Sequence, residues 1–172
     1  MSSIIKVDTI QTAAGGTPTA ADLGLNTTGS VLQVVSGSSA PGSFSITSTS
    51  WVDTSITASI TPSSVDSKIV VLFTFQYGCF RSGSGATYAG LRMLRDSSVI
   101  YAAGGDSGNL YIEGAGSPNT QYRIMSHMTY TDSPASTSQV TYKLEGRLFN
   151  GNELTLHWSN MPFSYTLMEI AG

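Results

Sequence analysis

Val140-Thr141-Tyr142-Lys143-Leu144-Glu145-Gly146-Arg147-Leu148-Phe149 alternates residue by residue. Val140, Tyr142, Leu144 and Leu148 face one way, and Lys143, Glu145 and Arg147 face the other. That two-residue period belongs to a strand with one face on a core and the other in water. An amphipathic helix would instead repeat its apolar residues every three and four positions, and no segment does so convincingly. Directly after it, Asn150-Gly151-Asn152 combines residues that tolerate positive φ and reads as a hairpin turn. Leu154, Leu156 and Trp158 then share a face, and Tyr165 to Ala171 is a final strand.

Upstream the same grammar repeats. Gln121 to Thr131 is a strand ending at Asp132-Ser133-Pro134. Tyr88 to Arg95 and Val99 to Tyr101 flank Asp96-Ser97-Ser98, a hairpin signature. Between Ala102 and Ser117 lies a glycine-rich loop carrying Leu110, Tyr111 and Ile112. Lys68 to Phe80 is the longest run, and Ile69 to Phe73 is apolar on both faces, which predicts a central strand covered on both sides. Trp51 to Ile60 alternates, with Val52, Ile56, Ala58 and Ile60 on the buried side, and Thr61-Pro62-Ser63-Ser64 turns the chain. Val31 to Ser36 and Phe44 to Thr47 complete the set. Eight or so short strands joined by turns predict an all-β, jelly-roll-like antiparallel β-sandwich over residues 31–172.

Residues 1–30 have another character. Ile4, Ile5, Val7 and Ile10 form a short apolar cluster, and a glycine-rich stretch and Asp22-Leu23-Gly24-Leu25 follow. Such a segment buries too little to fold alone. Its branched residues, together with Leu23 and Leu25, are expected to dock on another chain. At the other terminus, Tyr165, Leu167, Met168 and Ile170 make the last strand apolar on both faces. This predicts cover from its own sandwich on one side and from a neighbouring subunit on the other.

Composition narrows the function. Charged residues make up 11% of the 172 residues, where about 25% is typical. So little charge predicts a surface largely covered by copies of the same chain. A net charge of −3 without any basic run excludes nucleic acid as a partner. Cys79 is the only cysteine, which rules out an intrachain disulfide or a thiolate cluster. No stretch approaches the roughly 18 consecutive apolar residues of a membrane span, and no secretory leader opens the chain. Synthesis in a cytoplasm without an export signal is the expectation.

Candidate chemistry is sparse. Gly105-Asp106-Ser107-Gly108 resembles part of the nucleophile loop of chymotrypsin-like proteases, but Asn109 stands where that family has glycine. The family's catalytic histidine also precedes its serine, whereas His127 and His157 follow Ser107. A serine without a positioned base is only weakly reactive, so a loop turn accounts for the match. His127 and His157 are read as strand residues, the first sharing a face with Arg123 and Thr129 and the second with Glu153 and Thr155. Neither has a cysteine or carboxylate at ligand spacing. Cys79 is read as a small buried hydrophobe. No enzyme activity, metal or cofactor is expected. Tyr101, Leu110 and Tyr111 are the candidate receptor-facing loop, since aromatic faces stack on sugars and anchor interfaces.

The wording of the sequence adds a resemblance. Ser3-Ile-Ile-Lys-Val-Asp-Thr-Ile-Gln11, Ala21-Asp-Leu-Gly-Leu-Asn26 and Thr28-Gly-Ser-Val-Leu-Gln-Val-Val35 resemble the opening of tail-fibre and other virion proteins of marine and cyanobacterial phages. Trp51-Val-Asp53, Ser59-Ile-Thr-Pro-Ser-Ser64, Ser67-Lys-Ile-Val70, Arg95-Asp96 and Met168-Glu-Ile-Ala-Gly172 resemble their globular heads. The resemblance implies a homotrimeric virion component in the tail or on the capsid surface. Residues 1–30 would hold other tail or capsid proteins, and the head would meet a host-surface glycan or protein. One departure is that no long repetitive shaft separates residue 30 from the head. This makes a stubby knob or a capsid decoration protein the alternative to a long fibre, with a polysaccharide depolymerase as a third reading.

Overall fold

The computed structural model describes residues 9–19, 22–25, 27–82, 85–102, 110–112 and 120–172. Eleven strands form among them: β1 Val31–Ser39, β2 Phe44–Ile46, β3 Val52–Ile60, β4 Lys68–Arg81, β5 Thr87–Arg95, β6 Ser98–Ala102, β7 Leu110–Ile112, β8 Thr120–Asp132, β9 Val140–Asn150, β10 Glu153–Leu156 and β11 Phe163–Ile170. They make two antiparallel sheets packed as a β-sandwich. In the first sheet β4 is central, with β8 along one side and β11 then β10 along the other, bordered in turn by β1 and β2. The second sheet runs β3, β9, β5, with β6 and β7 sharing the far edge of β5.

The alternation read in β9 holds along its whole length, and Tyr142 and Leu144 have no exposed surface. In β4, Ile69, Val71, Phe73, Phe75 and Cys79 face the second sheet and form the core with Ile56, Met93, Leu154, Leu156 and Leu167. Val70 and Leu72, on the other face of β4, are only half-buried, so the single chain covers its central strand on one side alone. Gly146 marks a close approach of the sheets. A Cβ there would lie 2.8 Å from Ile46 Cδ1 and 3.3 Å from Leu154 Cδ2, so nothing larger than hydrogen fits without movement. Thr54 is buried among these apolar residues because its hydroxyl donates to the Leu144 carbonyl at 2.7 Å.

Three expectations are corrected. Asn150-Gly151-Asn152 is no hairpin turn: β9 lies in the second sheet and β10 in the first, so the turn carries the chain between sheets. Trp158 does not continue the face of Leu154 and Leu156. His157 adopts a left-handed conformation (φ 54°) and opens a single 3₁₀ turn, Trp158–Asn160, which swings Trp158 into solvent. Finally, the glycine-rich loop contains β7, which pairs with Thr87–Ala89.

The sandwich has two distinct ends. At the lower end Gly29 N donates to Ala171 O at 2.8 Å and Ala171 N to Ser30 O at 2.9 Å. The 61–67 turn and the Asp96 turn are there too. At the upper end Ser82 N donates to Asn152 Oδ1 at 2.7 Å, and Asn150 Nδ2 to Ala86 O at 3.1 Å.

Candidate functional site

The residues singled out from the sequence fall into three groups, and the structure treats each differently. Of the N-terminal group, Ile4, Ile5 and Val7 lie outside the described residues. Ile10, Leu23 and Leu25 are 54%, 47% and 63% exposed, so the chain's own head does not cover them. Thr12, Gly16, Thr19 and Asp22 hydrogen-bond only locally in this stretch.

The terminal-strand group divides by face. Leu167 has no exposed surface and Tyr165 packs inward beneath Gly37, so both belong to the chain's own interior. Leu167 therefore has nothing to offer a neighbour, because strand alternation points it into the sandwich. Met168 and Ile170 point outward beside Val34 and Val31 of β1, which are 55% and 54% exposed.

The loop group also divides. Tyr101 and Leu110 meet in the wall of a cavity of about 260 Å³ between the sheets, together with Phe75, Tyr77, Leu91 and Met128. Its lining includes Ala89 and Leu91, the stretch of β5 over which pairing passes from β7 to β6. Tyr111 stands apart, its ring 4.9 Å from that of Tyr88. Gly105, Asp106, Ser107 and Gly108 lie outside the described residues.

Two polar clusters went unseen in the sequence. Fully buried Glu169 accepts from Ser63 N and Ser63 Oγ, each at 2.7 Å, and from Gln33 Nε2 at 2.5 Å. Burial pushes its carboxyl up, but Ser67, Gln33 and Ser63 together outweigh that and hold it at about 2. Asp132, at the end of β8, takes both oxygens to Arg95 Nη1 (3.0 and 2.8 Å) and accepts from the Tyr142 hydroxyl at 2.9 Å. This clasp ties the first sheet to the second, and burial with the Asp132 bond pushes the Tyr142 hydroxyl far up. For Glu169 the signal was an acid inside an apolar stretch, between Met168 and Ile170; Asp132, flanked by Thr131 and Ser133, offered only its place at a strand's end.

The histidines separate. His127 is exposed on the outer face of β8, with Thr129, as its sequence suggested. His157 is not on a strand face: it is fully buried in the left-handed turn, and neither ring nitrogen makes a hydrogen bond. Burial pushes its imidazole below the ordinary value, which the Met161 backbone only partly offsets. Cys79 is buried, and burial alone pushes its thiol up to about 12, far from a reactive thiolate. Among the described residues no group of three or more His, Cys, Asp or Glu is placed to hold a metal ion. No described helix is long and apolar enough to cross a membrane.

The outer faces of the two sheets contrast. On the second, Arg92 pairs with Glu145 at 2.6 Å, and Lys143 bridges Glu145 at 3.4 Å and Asp53 at 3.3 Å. The Arg92 and Arg147 guanidinium groups lie 4.5 and 4.6 Å from the centre of the Trp51 ring. On the first, Val34, Met168 and Val70 stand side by side on β1, β11 and β4, with Leu72, Val31 and Ile170 around them.

No protein-family model matches the chain, and no curated protein matches it. Among solved structures it is similar to a chain from "The 2.6A structure of Infectious Bursal Virus Derived T=1 Particles", at 16% identity and a TM-score of 0.35. The match covers 81% of this chain and 36% of that one, so this chain spans little more than a third of its length. A likeness this loose establishes no shared fold.

Proposed function

We propose that this chain is a non-enzymatic structural protein of a bacteriophage particle, a short homotrimeric tail fibre or knob that contacts the host or braces the tail. The observation that carries the proposal is the two-ended layout of the head. Residues 27–30 leave beside the C-terminal residues at the lower end, carrying the uncovered Ile10, Leu23 and Leu25. The turns at Ser82 and Asn150–Asn152, with β7 close by, stand at the upper end. An anchored knob needs this separation of holding end and outward end.

The strand order supports a jelly-roll head. With β1 and β2, β6 and β7, and β10 and β11 each sharing one position, β1 pairs β11, β3 pairs β9, β4 pairs β8 and β5 pairs β6, as in one long hairpin rolled up. The resemblance of the opening residues and of the head's turns to phage virion proteins supports the particle. Three weak sites on one knob, and many knobs on one particle, would gain avidity by effective concentration.

A second reading, capsid decoration, is favoured by Val31 opening β1 directly after the N-terminal segment, with no shaft between. Quantitative mass spectrometry of purified phage decides between them. A few to a few dozen copies per particle are expected for a tail knob, hundreds would make it a decoration protein, and absence from the particle would end both readings.

A further inference from the structure

We infer that the outer face of the first sheet, centred on Val34, Met168 and Val70, is the surface through which copies of this chain pack on one another. This rests on the homo-oligomeric reading above and names the surface that reading needs. The sandwich has two outer faces: the second sheet's is finished within the chain, and the first sheet's is finished at its upper end, where the Arg123 guanidinium lies 3.8 Å from the centre of the Trp158 ring, but not in the rows around Val34. On the second sheet the ion pairs from Asp53 through Lys143 and Glu145 to Arg92, and the guanidinium groups over Trp51, satisfy charge and ring alike. On the first sheet, Val31 and Val34 are more than half exposed, and Met168, Ile170, Val70 and Leu72 are half-buried.

Charge selects the occupant. The rows running across β1, β11 and β4 at Val31, Val34 and Ser36 contain no carboxylate, and Lys68 at the lower margin is their one cation. Such a face offers nothing to a charged partner and matches another neutral apolar face. A second copy brings one automatically. Size agrees with this choice. β1, β11, β4 and β8 are 9, 8, 14 and 13 residues long, and at about 3.3 Å per residue and about 4.8 Å between strands they present a face on the order of 700 Å². A standard interface takes about 800 Å² from each partner. The Ser and Thr residues of the upper rows keep the face soluble in the single chain while remaining easy to desolvate. Because residues 27–30 leave at the margin of this face, copies packed through it release their N-terminal segments at neighbouring points.

The test is the double variant Val31→Lys, Val34→Lys. Both side chains are exposed in the single chain, so the fold should survive, which an unchanged far-ultraviolet circular dichroism spectrum and a cooperative melt check, at a temperature lowered only by the loss of assembly. Light scattering at micromolar concentration is expected to give a multi-chain mass for the unaltered protein and a single-chain mass for the double variant. Val99→Lys, a comparably exposed apolar position on the second sheet, should keep the multi-chain mass. A double variant that stays assembled, or dissociation by Val99→Lys alone, overturns the assignment of this face while leaving the oligomer standing. A single-chain mass for the unaltered protein overturns the oligomer as well.

Discussion

Glu169 is fully buried, and the bonds to its carboxylate come from neutral groups, the Ser63 amide and hydroxyl and the Gln33 side chain. They join β11 to β1 and to the turn after β3, so one side chain holds three segments at the lower end. Its carboxyl, held at about 2 against an ordinary 4.5, makes the ionised form part of the fold. The folded value is the lower one, so this stability is complete above about pH 4.5 and is lost as pH falls toward 2. The shift corresponds to roughly 3 kcal/mol. Glu169→Gln is expected to be less stable than the unaltered protein at pH 6 and to lose less further stability between pH 5 and pH 3 in urea titrations. An equal acid loss in both proteins would remove Glu169 from this role. His157 acts in a separate window. Burial keeps its imidazole neutral, so the unfolded chain takes up a proton near pH 6.5 before the folded one does, and stability falls below that pH. His157→Asn, which tolerates the left-handed backbone, should narrow the difference in melting temperature between pH 7.5 and pH 5.5. Neither role was legible beforehand, because a single acid or histidine in a strand pattern says nothing about which distant turn will close over it.

Among the elements, those with a long, regular alternation were legible and those set by their neighbours were not. Val140–Asn150, Val52–Ile60 and the Asp96 hairpin follow from local pattern, since side-chain period and turn chemistry are properties of contiguous residues. β7, three residues long, exists only because the free edge of β5 receives it. The terminal strand reads as apolar on both faces, but only the register with β4 shows that Leu167 turns inward and Met168 outward. Asn150-Gly151-Asn152 reverses the chain as its residues predict, yet turn chemistry cannot say whether the next strand joins the same sheet or the opposite one. The corner has its own demand. Gly151 has φ 117°, and a Cβ there would lie 2.6 Å from Thr87 Cγ2. Gly151→Ala should therefore cost about 1–3 kcal/mol, more than a solvent-facing hairpin glycine would, and lower the melting temperature by several degrees. A loss within a degree would mean that the corner yields freely.

At the scale of the whole molecule, a chain with 11% charged residues has placed its described ion pairs on the outer face of the second sheet and in the clasp between sheets, and has left the rows around Val34, Met168 and Val70 on the other outer face without one, between Lys68 at the lower margin and Arg123 at the upper. The N-terminal segment is equally unfinished, since its described apolar side chains remain about half exposed or more. These two deficits predict different behaviour when the segment is removed. Deleting residues 1–26 takes away no described strand and leaves the bonds from Thr28 and Gly29 to the C-terminal residues in place. That truncated chain should melt cooperatively within a few degrees of the full one, keep its multi-chain mass, and fail to enter particles. Extending the deletion through residue 30 removes three hydrogen bonds that hold Ala171 and Gly172 to the segment, and it should fray β1 and β11 together. Calorimetry on both truncations separates the possibilities. Loss of cooperative melting after removal of residues 1–26 would place the segment in the core, and normal incorporation of that head into particles would take away its holding role.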